Sequence, residues 1–305
     1  MASLLSTTLD IAARVAPGPA GRIAFGLFIR PLGRPRLRPE EAGVMGRAET
    51  GRLDVGGVRV ATYRWGDGAH PVLLVHGWSS RASRFAGFVE VLLAQGHSVV
   101  AFDAPGHGES GGRAASIRDF RDIIRRLDAE YGPFPAVVAH SIGVLSTLFT
   151  LREGVRVERV VALAGIAHFD YLVDGFRRFL DVGPAAERAL RRHVEHRVFA
   201  DTPDIWRRLD ARRDPGESPA RILLVHDTED DMSVPGQSRA IAAAFGERAR
   251  LIETQGLGHR RILGDPDVIA AAAAFLAEPG AGAGGARAGG VPRSVRADAD
   301  TGQTV

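Results

Sequence analysis

Ala136-Val137-Val138-Ala139-His140-Ser141-Ile142-Gly143 is a short apolar run that ends abruptly at a small polar residue. Val144-Leu145-Ser146-Thr147-Leu148-Phe149-Thr150-Leu151 follows at once and reads as a helix. A strand, a one-residue corner and a helix push a serine hydroxyl out at a sheet edge. There it sits beside a helix N-terminus, whose free N–H groups favour developing negative charge. The corner needs small side chains two positions either side of the serine, and Ala139 and Gly143 supply them. The pattern is G-x-S-x-G with alanine in the place of the first glycine. A Ser-x-Gly step after a strand also occurs as an ordinary helix N-cap, so the rest of the chain has to choose between the two readings.

Working outward, Val72–Val75, Val99–Phe102, Ala136–Ala139 and Val160–Leu163 are apolar runs without polar alternation, separated by helix-like segments near 84–95, 115–130 and 142–152. Unalternated runs mark strands buried on both faces, and their alternation with helices predicts a doubly wound, mostly parallel sheet. Ile222–Val225 and Arg250–Glu253 extend the sheet, and Val268–Leu276 supplies a last helix. The stretch 53–65 alternates about Gly56-Gly57 and reads as a β-hairpin. Residues 167–217 break the rhythm: rich in arginine and aromatics, with helical spacing and no strand run, they read as an inserted helical cap. The expected organisation is therefore an N-terminal helical arm (1–50), an α/β domain over 51–278 that carries the cap, and a Gly/Ala-rich disordered tail (279–305).

Composition removes several chemistries. The 305 residues include no cysteine, which excludes disulfides and thiolate nucleophiles. All 39 basic residues are arginine, so a Schiff-base lysine is excluded too. Residues 1–52 carry eight arginines against four acids, a local charge of +4, and the body 53–278 carries −2. Basic ends without a clustered basic face do not predict nucleic-acid binding. Ile23–Ile29 is too short to span a membrane and is bracketed by Arg22 and Arg30. The arm is expected to pack on the body rather than lie on a membrane surface as a peripheral contact. With no convincing leader at the start of the chain, a cytoplasmic location is expected; oligomeric state is left open.

Ligands of parallel sheets bind beyond the carboxyl ends of the strands. Those ends carry His76-Gly77-Trp78, Asp103 through Ser110, His140-Ser141, His226 through Asp231, and Gly256-Leu257-Gly258-His259. A serine, then an acid, then a histidine, each at a strand end, is the order of a serine-hydrolase triad.

In this combination the chain resembles the α/β-hydrolase fold family over roughly residues 50–278. His-Gly-Trp at 76–78, Phe-Asp-Ala-Pro-Gly-His-Gly-Glu-Ser at 102–110, the elbow at 139–143, His-Asp-x-x-Asp followed by Val-Pro at 226–235, and Gly-Leu-Gly-His at 256–259 carry the resemblance. It implies Ser141 as nucleophile, His259 as base and a carboxylate behind it. Counting from the strand end at His226 puts that acid on Asp230; counting back from Val234-Pro235 puts it on Asp231. Asp230 is preferred because the strand anchors it, with Asp227 a third choice. The resemblance also implies an oxyanion hole from the backbone N–H groups of Trp78 and Ile142, with the Trp78 side chain a pocket wall or core packing.

Asp103, His107, His76 and Gly77 are expected to organise loops. His140, on the opposite strand face from its neighbour, is expected to be structural. His193-Val194-Glu195-His196 lacks metal-ligand spacing and reads as a solvated helix face, so neither a metal nor another cofactor is expected. The arginine pairs at 177–178, 191–192, 207–208 and 212–213 read as an exposed cap face, with attraction of an anionic substrate as the minor reading; Arg260-Arg261 are read as attracting such a substrate or as pairing with a carboxylate. The partner is expected to be a small-molecule ester with a small to medium acyl group, with thioester or amide next. The alternative is a non-catalytic small-molecule-binding protein on the same scaffold.

Overall fold

The computed structural model describes residues 2–278; the tail expected to be disordered lies outside them. Eight strands form one sheet in the order β1-β2-β4-β3-β5-β6-β7-β8. They are β1 (Glu49–Val55), β2 (Val58–Trp65), β3 (Val72–Val75), β4 (Val99–Phe102), β5 (Ala136–His140), β6 (Arg159–Leu163), β7 (Arg221–Asp227) and β8 (Ala249–Thr254). The β1–β2 hairpin turns at Gly56 and Gly57, both at positive φ, and joins the sheet through antiparallel β2–β4 pairing. Every later pairing is parallel.

The helices are α1 (Ala2–Val15), α2 (Pro17–Phe28), α3 (Ala42–Gly46), α4 (Ala86–Ala94), α5 (Ile117–Tyr131), α6 (Ile142–Arg152), α7 (Phe169–Leu180), α8 (Pro184–His193), α9 (Ile205–Arg208), α10 (Gly236–Phe245), α11 (Gly258–Arg261) and α12 (Pro266–Ala277). Because side chains alternate across a strand, Leu73, Val75, Val137, Ala139, Val160 and Ala162 join the core beneath α5, α6 and α10. Val72, Leu74, Val138, Val161, Leu163 and Val225 join the other core, beneath α4 and α12. These strands are buried on both faces, the physical reason their sequences carry no polar alternation.

Strand order reverses between β3 and β5, and the crevice at such a switch point is where a parallel sheet places its ligand. The cap, α7 to α9, is inserted between β6 and β7 above that crevice. The N-terminal helices pack on it. The Asp10 carboxylate accepts the Ala185 and Ala186 N–H groups at 2.8 and 3.0 Å, capping α8 from another helix. Gly21 lies so close to α8 that a Cβ there would stand 2.3 Å from the Ala189 carbonyl oxygen. Pro17 falls in the first turn of α2, where a missing N–H costs nothing.

Candidate active site

Ser141 follows β5 with φ +56° and ψ −122°, a conformation that is strained for any residue with a Cβ. The surroundings impose it. The Ser141 N–H is bound to the Leu163 carbonyl at 2.9 Å. A Cβ on Gly143 would sit 2.5 Å from the Val75 oxygen, and one on Gly77 would sit 2.7 Å from His140 Nδ1. These two glycines let β3, β5 and α6 meet at the serine. Ala139 is fully buried, so its methyl group fits where the motif's first glycine would stand.

His259, on α11 just past β8, places Nε2 3.1 Å from Ser141 Oγ and Nδ1 2.7 Å from Asp230 Oδ2. An ionised carboxylate only accepts, so Nδ1 carries the proton and Nε2 offers its lone pair to the serine. Asp230 Oδ1 accepts the Met232 and Ser233 N–H groups, each at 2.9 Å. Burial pushes the Asp230 pKa up, but hydrogen bonds from His226, His259 and the Ser233 amide outweigh it and hold the group well below the usual carboxylate range. Asp231 is exposed and makes no bond to His259. Asp227 braces the loop instead: it accepts Thr254 Oγ1 at 2.8 Å and the Leu257 N–H at 2.9 Å, fixing the segment that leads into His259.

Three further histidines near the site brace it in different ways. His140 does lie on the other strand face, but that face is where His259 passes. Its Nε2–H donates to the His259 carbonyl at 2.9 Å, and the two rings are 4.7 Å apart, so His140 supports the site directly. Burial, with His259 adding repulsion, pushes its pKa down to about 3 and keeps it neutral. His76 donates from Nδ1 to the Gly77 carbonyl and accepts the Ala104 N–H at Nε2, at 2.7 and 2.9 Å; burial likewise pushes it down to about 3. His107 accepts the Ser79 N–H at 3.1 Å and stands edge-on to Trp78, bracing the loop after β3. Asp103 accepts from Tyr63 Oη and from the Ala82 and Glu109 amides, tying three segments together. Trp78 and Ile142, whose amides were expected to face an oxyanion, both line the cavity that Ser141 opens into. The Ile142 N–H is the first of α6, where no intrahelical acceptor exists.

That cavity has a volume of about 630 Å³. Its walls are overwhelmingly apolar, with Phe25 and Phe28 of α2 facing Phe169, Phe176 and Leu180 of the cap. The exposed Leu32, Phe179 and Met232 rim it, beside Arg30 and Arg260.

None of the cap's arginine pairs lines it. Arg191 is half-buried and bound to Asp170 and Glu187, Arg207 binds Asp214, and Arg212 binds Asp210. His193 corrects the expectation of a solvated face. It is half-buried, its ring 5.2 Å from that of Phe25, because α2 covers that side of α8.

Sequence reasoning missed three contributors. His226 was read only as a strand end; its Nε2–H points at both the Ser233 carbonyl (2.5 Å) and Asp230 Oδ2 (3.3 Å), while Nδ1 accepts from Ser238 Oγ. The capping role of Asp10 and the place of α2 in the cavity wall left only one trace, the apolar block 23–29 too short for a membrane. Among the described residues no helix is long and apolar enough to cross a membrane, and no cluster of three or more His, Asp or Glu could hold a metal ion.

A model of the alpha/beta hydrolase family matches residues 72–272, and the chain belongs to that family. It is 31% identical over 160 residues to the dihydrolipoyllysine-residue acetyltransferase component of the acetoin cleaving system of Cupriavidus necator, covering 51% of this chain and 42% of that one. It is 32% identical over 108 residues to a monoacylglycerol lipase of Mycolicibacterium smegmatis, covering 32% and 39%. The chain thus spans less than half the length of these curated relatives. A solved membrane phospholipase A shares the fold at a TM-score of 0.58 and 16% identity, over 78% of this chain and 88% of that one.

Proposed function

We propose that this member of the hydrolase family cleaves a carboxylic ester or thioester of a small to medium acyl group through a serine acyl-enzyme. The observation that carries this reading is the unbroken line from Ser141 Oγ through His259 to Asp230, at 3.1 and 2.7 Å, facing an apolar cavity. Ser141 Oγ attacks the carbonyl carbon while His259 Nε2 takes its proton. The oxyanion that forms is met by the Trp78 and Ile142 amides, each such donor contributing about 3 kcal/mol. His259 then returns the proton to the departing alkoxide or thiolate. Water attacks the acyl-enzyme, again giving its proton to His259, and releases the acid and free Ser141. Asp230 stays ionised throughout and stabilises the imidazolium. The relative named as a monoacylglycerol lipase supports an ester as substrate.

Turnover of p-nitrophenyl acyl esters, together with fluorophosphonate labelling of Ser141, tests the proposal. Ser141→Ala is expected to abolish labelling and lower kcat by about 10⁶-fold if the three residues act as a unit. Undiminished turnover in that variant sinks the serine mechanism, and an unlabelled parent favours a binding protein.

A further inference from the structure

One wall of the cavity, packed against the cap, does not come from the stretch that defines the family. Phe25, Leu27, Phe28 and Ile29 belong to α2 and the residue after it, outside the 72–272 match. Phe25 and Phe28 are only half-buried because one side of each faces the cavity. Their other contacts are specific: Phe28 meets Phe169 and Phe176 edge-on at 5.5 and 5.3 Å, and Phe25 meets His193 at 5.2 Å.

The hairpin that carries this wall is fastened at both ends without help from a ligand. At one end Asp10 caps α8, and Gly21 lets α2 approach Ala189. At the other, the Ala115 N–H donates to the Ile29 carbonyl at 3.0 Å. Arg34 donates to the Gly108, Ser110 and Gly112 carbonyls, and Arg81 and Arg84 hold the Pro35 and Arg36 carbonyls. A wall held this way has a fixed distance from Ser141, as a measure of chain length requires.

Such a wall, all hydrocarbon where it meets the cavity, suits an unbranched alkyl chain. A volume of about 630 Å³ holds about twenty water-sized groups at about 30 Å³ each. The ester group and part of the leaving group take some of that space, leaving room for about ten to fourteen carbons. The chain belongs to the acyl side. The acyl group must stay through the second half of the reaction while the leaving group escapes past Leu32, Phe179 and Met232 at the mouth.

We propose that the α1–α2 hairpin is the acyl-length gauge of this site, its Phe25 and Phe28 closing the far end of a pocket for an unbranched medium-length acyl chain. The assignment rests on the serine-hydrolase reading above.

The test is the acyl-length profile of kcat/KM on p-nitrophenyl esters from two to sixteen carbons, kept below aggregating concentrations. In the parent, kcat/KM rises by up to about fourfold per added methylene and peaks near ten to fourteen carbons. Phe28→Ala moves the peak at least two carbons longer, and Phe28→Trp moves it shorter. Ile11→Ser, on the exposed face of α1, leaves the profile where it was. Labelling of Ser141 by a short-chain fluorophosphonate identifies folded variants; should Phe28→Ala fail it, Phe28→Leu reads the same displacement at smaller cost. A labelled serine with an unmoved profile overturns the gauge alone. A parent peak at two to four carbons, or a preference that follows the alcohol chain, overturns it as well. An unlabelled parent serine overturns the hydrolase reading beneath it.

Discussion

Asp230→Asn tests the site most sharply, because the structure dictates how the new amide must sit. Oδ1 already accepts two backbone N–H groups, from Met232 and Ser233. The amide oxygen must take that position, so the NH₂ replaces Oδ2. There it faces His259 Nδ1 at 2.7 Å and His226 Nε2 at 3.3 Å. His226 Nε2 must carry its hydrogen to bond the Ser233 carbonyl, and His259 Nδ1 carries one in the parent. A donor now confronts two donors. His259 escapes by moving its proton to Nε2, the atom that takes the proton of Ser141 in the proposed mechanism. The base is then lost while the elbow stays intact. A wrong tautomer of this kind lowers kcat by about 10⁴-fold, or about 5 kcal/mol of barrier. The assay is kcat on a p-nitrophenyl ester together with the fluorophosphonate labelling rate, with thermal melting to establish folding. Asp231→Asn, on an exposed side chain, is expected to stay within about twofold, a surface substitution costing little. If folded Asp230→Asn keeps kcat within tenfold of the parent, or if Asp231→Asn is the variant that collapses, the assignment is wrong.

Two further outcomes follow from groups outside that line. His76 and His140 are held neutral by burial, each pushed down to about 3, whereas in the unfolded chain they protonate near pH 6.5. Between about pH 3 and 6.5 the unfolded state therefore binds more protons. Stability falls as pH drops through this window, by up to about 1.4 kcal/mol per pH unit for each histidine, and is insensitive to them above it. Urea unfolding between pH 7.5 and 5 reads the slope, and His140→Gln should reduce it; an equal slope in the variant refutes the buried-neutral assignment. Asp10→Ala removes the cap on α8 and is expected to cost about 1 kcal/mol. Hydrogen exchange of the Ala185 and Ala186 amides should accelerate, and unchanged protection there would show that Asp10 does not hold the hairpin to the cap.

The strands were legible because a parallel sheet buries both faces, which forces runs such as Val72–Val75 and Ala136–Ala139 to be apolar throughout. Ser141 was legible for a similar reason: the elbow admits only small residues beside it, and Gly143 has carbonyl oxygens where a Cβ would go. His140 was harder. Its place on β5 read as a side chain pointing away from the neighbouring Ser141, but local periodicity says nothing about what crosses that face, and the crossing segment is the one that carries His259.

By its own pattern, then, the chain determined an α/β sheet with an inserted cap and a Ser, acid, His order at the strand ends. Each of these depends on spacing within a few residues, where sequence and geometry are tightly linked. The choice between Asp230 and Asp231 was a tertiary decision. The Asp230 N–H bonds the Asp227 carbonyl at 3.2 Å in a turn just past β7, and that turn aims one carboxylate inward at His259 and leaves the next in solvent. Tertiary packing also decided the cavity. The apolar face of residues 23–29 could be seen in the sequence, but its partners on α7 and α8 lie more than a hundred residues away. Burial of an apolar face is favourable against any complementary surface. Only the folded chain, with Asp10, Gly21 and Arg34 fastening the hairpin, selects the wall beside Ser141.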